Sequence, residues 1–469
     1  MIRRPLVLAL ALTLLPAVAS ADDLLQTYEA ARLGDPVLSQ AESNRLDTLE
    51  NRIQARARLL PSLSGSAKLG ISRNTNENTS SIGNVNLPNP VDLRTDTTNR
   101  TYGLSAGQMI YNRTDIKNFQ GQQVISKAAD FTLESANQEL ITRTSQTYFN
   151  VLVALENLAA AEAAETALQK QFDYASKRLE VGLAPITDVH EARAQYDDAR
   201  ARTITTRNTV EDAYQALSQI TGQPVRSLKA LPADFKPNLP EAQQVDTWVN
   251  NAVQNNPSLH AQQLQVDAAE IAVDAARGGH WPSLSLGASY DDQTSWGDSR
   301  FPGRRIDNSA SASHGGSVGL TLTVPLYSGG AIQSGVRQAL ARRDAAQDEL
   351  ERQKRLLVRN TRNAYQTLVA GISEVEARRL AVVSAQAAYD ASQVGLEVGT
   401  RTVLDVLNNQ RTLLQAQQAY AQSKYNFLQN RLVLEQSAGS LDVADVQDIN
   451  RLLTADAATN LAPPPATVQ

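Results

Sequence analysis

Apolar positions along this chain follow two periods, and the switches between them mark its elements. Residues 22–58 show helical spacing, with a break at Gly34-Asp35-Pro36 where Pro36 opens a fresh helix at its first turn. Pro61 ends that pattern and the period becomes two: Leu63, Gly65, Ala67, Leu69 and Ile71 share one face, with Ser, Lys and Gly on the other. Residues 73–100, rich in Asn, Thr, Ser and Pro, have no period and predict a polar loop. Tyr102, Leu104, Ala106 and Ile110 then share a face of a second strand ending at Tyr111, with Gln108 a polar misfit in that row. Residues 113–180 contain no Pro and only Gly121, and predict one helix about 100 Å long.

The same order returns later in the chain. After Pro282, Leu284, Leu286, Ala288 and Tyr290 alternate, residues 291–315 predict a second polar loop, and Val318, Leu320, Leu322, Val324 and Leu326 alternate up to Tyr327. A second long helix is expected over 331–398, containing Gly335, Gly371 and Gly395. Each long helix turns back through a glycine, at Leu179-Glu-Val-Gly182 and Leu396-Glu-Val-Gly399, into a shorter one over 186–220 or 403–436. Helices over 22–58 and 249–277 supply the length that the shorter partners lack, and such long helices are stabilised side by side by apolar stripes. Pro224, Pro232, Pro237 and Pro240 mark a connector, residues 442–453 are its counterpart after the second copy, and 455–469 read as disordered.

These are two copies of one unit. Tyr148 and Tyr365, Gly182 and Gly399, Asp188 and Asp405, and Gly222 and Gly439 are each 217 residues apart, whereas Pro36 and Pro257, and Pro61 and Pro282, are 221 apart. The copies therefore differ in length only between Pro61 and Tyr148.

The ends and the composition narrow the setting. Arg3 and Arg4, the apolar run from Pro5 to Pro16 and the small residues Ala17, Ala19 and Ala21 read as a secretory leader cut after Ala19 or Ala21. There is no cysteine, so disulfides and thiolate metal sites are excluded. Removing Arg3 and Arg4 leaves 42 basic against 49 acidic residues and moves the net charge from −5 to −7, a poor match to nucleic acid. No later stretch is long and apolar enough for a transmembrane helix, so any membrane crossing falls to the strands. Alternation alone equally describes a solvent-facing hairpin. The tyrosines at or near strand ends, Tyr102, Tyr111, Tyr290 and Tyr327, together with the leader, favour a bilayer. Four strands cannot close a barrel, and open edges in lipid leave backbone groups unsatisfied, so several chains must complete one barrel. Geometry does not choose between two, three or four.

The helix-to-strand transitions Leu60-Pro61-Ser62-Leu63 and Trp281-Pro282-Ser283-Leu284, the exit Val324-Pro-Leu-Tyr-Ser-Gly-Gly330 and the paired Leu-Glu-Val-Gly turns resemble the TolC family of outer-membrane efflux and secretion channels. The likeness covers nearly the whole mature chain; Val398-Gly-Thr-Arg-Thr-Val-Leu-Asp405 is its most specific piece, close to the founding member. What the resemblance implies is an α+β membrane protein with internal duplication. Its long helical hairpins form a periplasmic α-barrel, and four strands per chain contribute to a trimeric transmembrane β-barrel in the outer membrane. The expected division is a leader at 1–21; repeat 1 at 22–222, with strands at 62–111 and a helical hairpin at 113–222; and an equatorial connector at 223–247. Repeat 2 follows at 248–439, with strands at 283–327 and a helical hairpin at 330–437, and 440–469 is an equatorial segment and flexible tail. The implied function is the exit duct of tripartite efflux or type I secretion systems, a passive homotrimeric channel. A periplasmic adaptor (membrane fusion protein) and an inner-membrane pump of RND, ABC or MFS type open its tip, and outer-membrane lipid surrounds its barrel. The alternative is a non-conducting coiled-coil envelope protein.

Catalysis finds no support: His190-Glu191 lacks a second metal-binding His, Gly329-Gly330 lacks a phosphate-loop Lys, and no cofactor or metal site is expected. By the same resemblance Asp405, about one and a half turns into its helix, forms a constricting carboxylate ring that favours cations. Its plain alternative is a helix-start Asp stabilised by the helix dipole. The family's second Asp, three residues on, is Asn408 here, so the ring carries half the charge and weaker cation selectivity is expected. Arg401, Thr187 and Asp188 match positions that latch the two hairpins; a Tyr that joins the latch in the founding member aligns with Leu396. Arg178, Leu179, Val181 and Gly182, with Leu396, Val398 and Gly399, match the adaptor-docking surface, although the glycines also serve the turns alone.

Overall fold

A computed structural model describes residues 23–82, 85–183, 185–232, 235–238, 244–301 and 304–457, so the leader and the end of the tail lie outside the described residues. They form two units that cut across the repeat: one takes in residues 23–43, 131–260 and 352–457, the other 44–130 and 261–351. The helices are α1 (Leu24–Gly34), α2 (Pro36–Ala57), α3 (Arg113–Glu180), α4 (Ile186–Thr221), α5 (Val245–Asn255), α6 (Pro257–Gly278), α7 (Ala331–Glu397), α8 (Val403–Ala438) and α9 (Val443–Leu452). Pro36 and Pro257 open α2 and α6, where the missing N–H costs nothing.

The second unit holds an antiparallel sheet of β1 (Ser62–Ile82), β2 (Val85–Tyr111), β4 (Ser283–Phe301) and β5 (Arg304–Thr323) in the order β1-β2-β4-β5. The β2–β4 pairing joins the two copies. Residues paired across the sheet share a face: Leu63 stands opposite Ala106, Ala106 opposite Ala288 and Ala288 opposite Val318, with Leu286 beside Leu320 one step away. This apolar row has no cover among the described residues, Ile71 being 81% and Val318 78% exposed. The opposite face is Ser, Gly and Lys.

Three expectations change. Residues 73–82, 85–100, 291–301 and 304–315 are paired strand rather than loop, the partners running from Arg73–Asp96 to Asn76–Leu93 and from Asp291–Gly315 to Phe301–Arg304. Polar residues predominate there and the few apolar ones do not alternate, so the two-residue period vanishes while the backbone ladder continues. The alternation expected up to Tyr327 ends as strand at Thr323, because Pro325 cannot donate to a ladder. A register shift between Met109 and Tyr111 sets Tyr111, not Ile110, opposite Leu284. The misfit Gln108 is satisfied: its amide N–H groups donate to the Leu59 and Met109 carbonyls at 2.8 and 2.9 Å.

In the first unit α3 and α8 supply most of a core built on Tyr148, Phe149, Leu152, Tyr425, Leu428 and Leu432, with Leu217 of α4 and Val446 and Ile449 of α9. Lys229–Ala230 (β3) pairs with Ala455–Asp456 (β6), so the tail expected to be disordered from 455 begins as strand, anchored by the Ala457 N–H to the Leu228 carbonyl at 2.9 Å. The repeat survives in detail. Gly222 and Gly439 end α4 and α8 at φ 68° and 75°, each against the helix break of its own copy. A Cβ on Gly222 would meet Gly34 Cα at 3.6 Å, but one on Gly439 would lie 2.6 Å from the Asn255 carbonyl. Gly439→Ala is therefore expected to lose about 2–4 kcal/mol and Gly222→Ala only about 1 kcal/mol, read as urea midpoints of the purified protein.

Candidate functional site

Two helix reversals in the first unit hold every residue singled out above. In the first, α3 ends at Glu180 and Gly182 takes φ 76°; the N–H of Gly182 donates to the Leu179 carbonyl at 2.9 Å and that of Leu183 to Arg178 at 2.8 Å. The Arg178 guanidinium donates to the Leu183 carbonyl at 3.2 Å and lies over the Tyr174 ring. In the second, Gly399 takes φ 78° and the Thr400 N–H donates to Gly395 at 2.8 Å. A Cβ on Gly182 or Gly399 would meet nothing within 4 Å, so the backbone sign alone accounts for the glycines within one chain.

The helices that leave the turns start differently. Pro185 precedes α4 and offers no side-chain cap, whereas Thr402 and Asp405 form a reciprocal capping box at the start of α8. Asp405 is thus the third residue of the helix, in its first turn, not one and a half turns in. Its carboxylate accepts from the Thr402 N–H at 3.0 Å and from the Thr402 hydroxyl at 2.9 Å, while the hydroxyl accepts from the Asp405 N–H at 3.2 Å. Those two hydrogen bonds, the backbone one foremost, and the Arg401 charge hold the Asp405 carboxyl below its ordinary range. One turn further, Asn408 is exposed and its Oδ1 accepts from Arg411 Nη2 at 3.2 Å.

The expected latch is not made within one chain. No hydrogen bond or ion pair among the described residues joins Arg401 to Thr187 or Asp188; the Arg401 stem lies over Gly395, whose added Cβ would come 2.6 Å from Arg401 Cγ. Val181 and Val398, 67% and 68% exposed, stand out at the turns with Gly182 and Gly399, while Arg178 and Leu179 are half-buried. Leu396 departs from the expected docking set. It is buried with Ala385, Tyr389, Val406 and Leu413, where it holds α7 to α8.

The two hairpins meet near the turns through a small apolar contact of Leu168, Ala199 and Leu407, backed by Tyr196 and Val403. A cleft of about 180 Å³ opens beside it, lined by Ala164, Asp198, Arg202, Gln410 and Arg411. Further along, α3 and α8 are joined by a charged cluster that sequence reading missed. Lys424 Nζ lies 2.9 and 3.0 Å from the Glu156 carboxylate oxygens, and the Tyr425 hydroxyl donates to Glu156 at 2.9 Å. The only sequence signal is a Lys between Tyr420 and Tyr425 on a helix stripe that is otherwise apolar.

The family model "outer membrane efflux protein" matches residues 27–223 and 248–440. The chain is 33% identical over 463 residues to the outer membrane protein TolC of Escherichia coli (strain K12), covering 97% of this chain and 90% of that protein. To the proteases secretion protein PrtF of Dickeya chrysanthemi it is 28% identical over 451 residues, 95% of this chain and 94% of that protein. The fold is also that of the Campylobacter jejuni CmeC outer membrane channel, with a TM-score of 0.72 over 97% of each chain at 18% identity. On these matches the chain belongs to the outer membrane efflux protein family, and it is an outer-membrane channel that serves as an exit duct for efflux or secretion.

Proposed function

We propose that three copies close one twelve-stranded barrel, and that their helices form a passive periplasmic duct. Its only mechanism is opening of the turn end, driven by an adaptor and an inner-membrane pump. The observation that carries this reading is the sheet: among the described residues β1 and β5 pair on one side only, and its apolar face has no cover. In lipid each unpaired backbone group costs several kcal/mol, and pairing β5 of one copy with β1 of the next removes the edges.

At the helix turns, three Asp405 carboxylates around one axis set the selectivity, and Arg401 of one hairpin reaches Thr187 and Asp188 across a copy boundary. The thin apolar contact and the cleft beside it support a turn end that can move. A surface latch of this kind is worth little, below about 1 kcal/mol, which suits release by a docking partner.

Asp405 has a pH signature. Its folded pKa lies below the ordinary 3.8, so the charge and the capping contact are present above that value and are lost only as pH falls through the lower, folded one. Cation preference in bilayer recordings is expected to hold from pH 7 to pH ~4 and to fade below. Loss already at pH 6 would mean that another group sets it.

Docking is tested by Gly399→Asn, because Asn tolerates positive φ and keeps the turn. Export by cells carrying the adaptor and pump is expected to fall while the variant folds and conducts. Undiminished export would reduce this glycine to a turn residue.

A further inference from the structure

Beyond its apolar band, the lipid-facing side of the sheet carries a charge cluster for which the duct has no use. The β1–β2 and β2–β4 registers run unbroken from the apolar rows outward, so face identity is preserved. On the face of Leu63, Ala106 and Ala288, one row sets Arg73 opposite Asp96 and Asp96 opposite Asp298, with Asp307 next. The following row sets Arg94 opposite Arg300 and Arg300 opposite Arg305. Arg73 stands two residues beyond Ile71, about 7 Å along the strand from the end of the apolar band.

Like charges directly opposite one another repel, yet here the acidic and basic rows interleave. Arg73 forks onto Asp96 at 2.6 and 3.3 Å, and Arg94 and Arg300 lie 3.8 and 3.9 Å from the same carboxylate. Arg300 and Arg305 bind Asp298 at 2.7 and 3.2 Å, and Arg305 also reaches Asp307 at 3.1 Å. The Asp96 and Asp298 side chains are only 17% and 12% exposed, whereas the four arginines keep 42–62%. The carboxylates therefore sit beneath and orient the guanidiniums. Each guanidinium has five N–H donors, more than these carboxylates can take up, and the Arg94 Nε is buried without a hydrogen-bond partner among the described residues.

We propose that this cluster binds the phosphate groups of phosphorylated lipid in the outer leaflet. Chemistry agrees, and on β1 position does too: headgroup phosphates lie just beyond the acyl chains, as Arg73 lies just beyond Ile71, while on β2 and β4 the cluster stands six residues past Tyr102 and eight past Tyr290. A fixed fork of guanidinium donors also matches phosphate oxygens better than ammonium groups do. The site rests on the outer-membrane placement of the sheet and is independent of the gate.

The test is native mass spectrometry of the purified full-length oligomer with diphosphorylated lipid A and with the same lipid after enzymatic removal of its phosphates. Retention of the phosphorylated form is expected to be about tenfold stronger. The preference is expected to vanish in the triple variant Arg94→Gln, Arg300→Gln, Arg305→Gln, with folding checked by circular dichroism. Equal retention of the two lipids by the wild type would overturn the proposal without recourse to any variant. Inorganic phosphate at millimolar concentration is expected not to displace the lipid; displacement would make the cluster a general phosphate site and overturn the lipid assignment.

Discussion

Glu156→Ala is expected to destabilise the protein by about 3–5 kcal/mol, because it strands the Lys424 ammonium in the core between α3 and α8. The Lys424 and Glu156 side chains are 8% and 15% exposed, so neither can turn to water without separating the helices. Tyr425 would lose its acceptor in the same step. Burial, and then the Glu156 charge, push the Tyr425 hydroxyl's pKa up, so it stays a donor at every working pH. Replacing both partners by apolar residues of similar size, Glu156→Leu with Lys424→Met, is expected to restore stability to within about 1 kcal/mol of the wild type. Urea midpoints of the single and double variants measure the coupling; two small and additive losses would show that the pair is solvated. This cluster binds one hairpin to the other, α3 to α8.

The second large effect concerns ions. Asp405→Ala is expected to bring the cation-to-anion permeability ratio down to about 1 if, as proposed, this one carboxylate per chain sets the selectivity. Asn408→Asp, one turn on, is expected to raise the ratio above that of the wild type. Reversal potentials in a salt gradient read both. A ratio unmoved by either change would leave Asp405 as the partner of Thr402 in a capping box and nothing more.

How far these features could be read from sequence follows from what each depends on. The long helices were legible because α3 has no Pro and only Gly121 near its start and apolar spacing persists, and the duplication because Gly182, Asp188 and Gly222 each repeat at one offset. The strands were legible only where one face meets lipid. From Arg73 to Arg100 polar residues predominate without a two-residue period, so nothing in the sequence distinguishes a ladder from a loop. The shift at Met109–Tyr111 belongs to the pairing of two strands, and no single strand reveals it.

At the turns, the sequence carried the glycines and Asp405 but not their surroundings. Leu396 reads as a surface residue from its place beside Gly399, yet it closes the α7–α8 contact. The capping box of Thr402 and Asp405 follows from their three-residue spacing and was open to reading, whereas the Glu156–Lys424 pair joins residues 268 positions apart and was not. Among the described residues the latch of Arg401 with Thr187 and Asp188 is not formed, and the pairing proposed for it lies between copies.

The central claim is that this chain assembles into a gated duct, and single-channel recording of the purified protein in a planar bilayer tests it most directly. Small, cation-selective openings that enlarge in Arg401→Ser are the predicted result. Silence from a well-folded oligomer would contradict the account and favour a coiled-coil envelope protein without a pore.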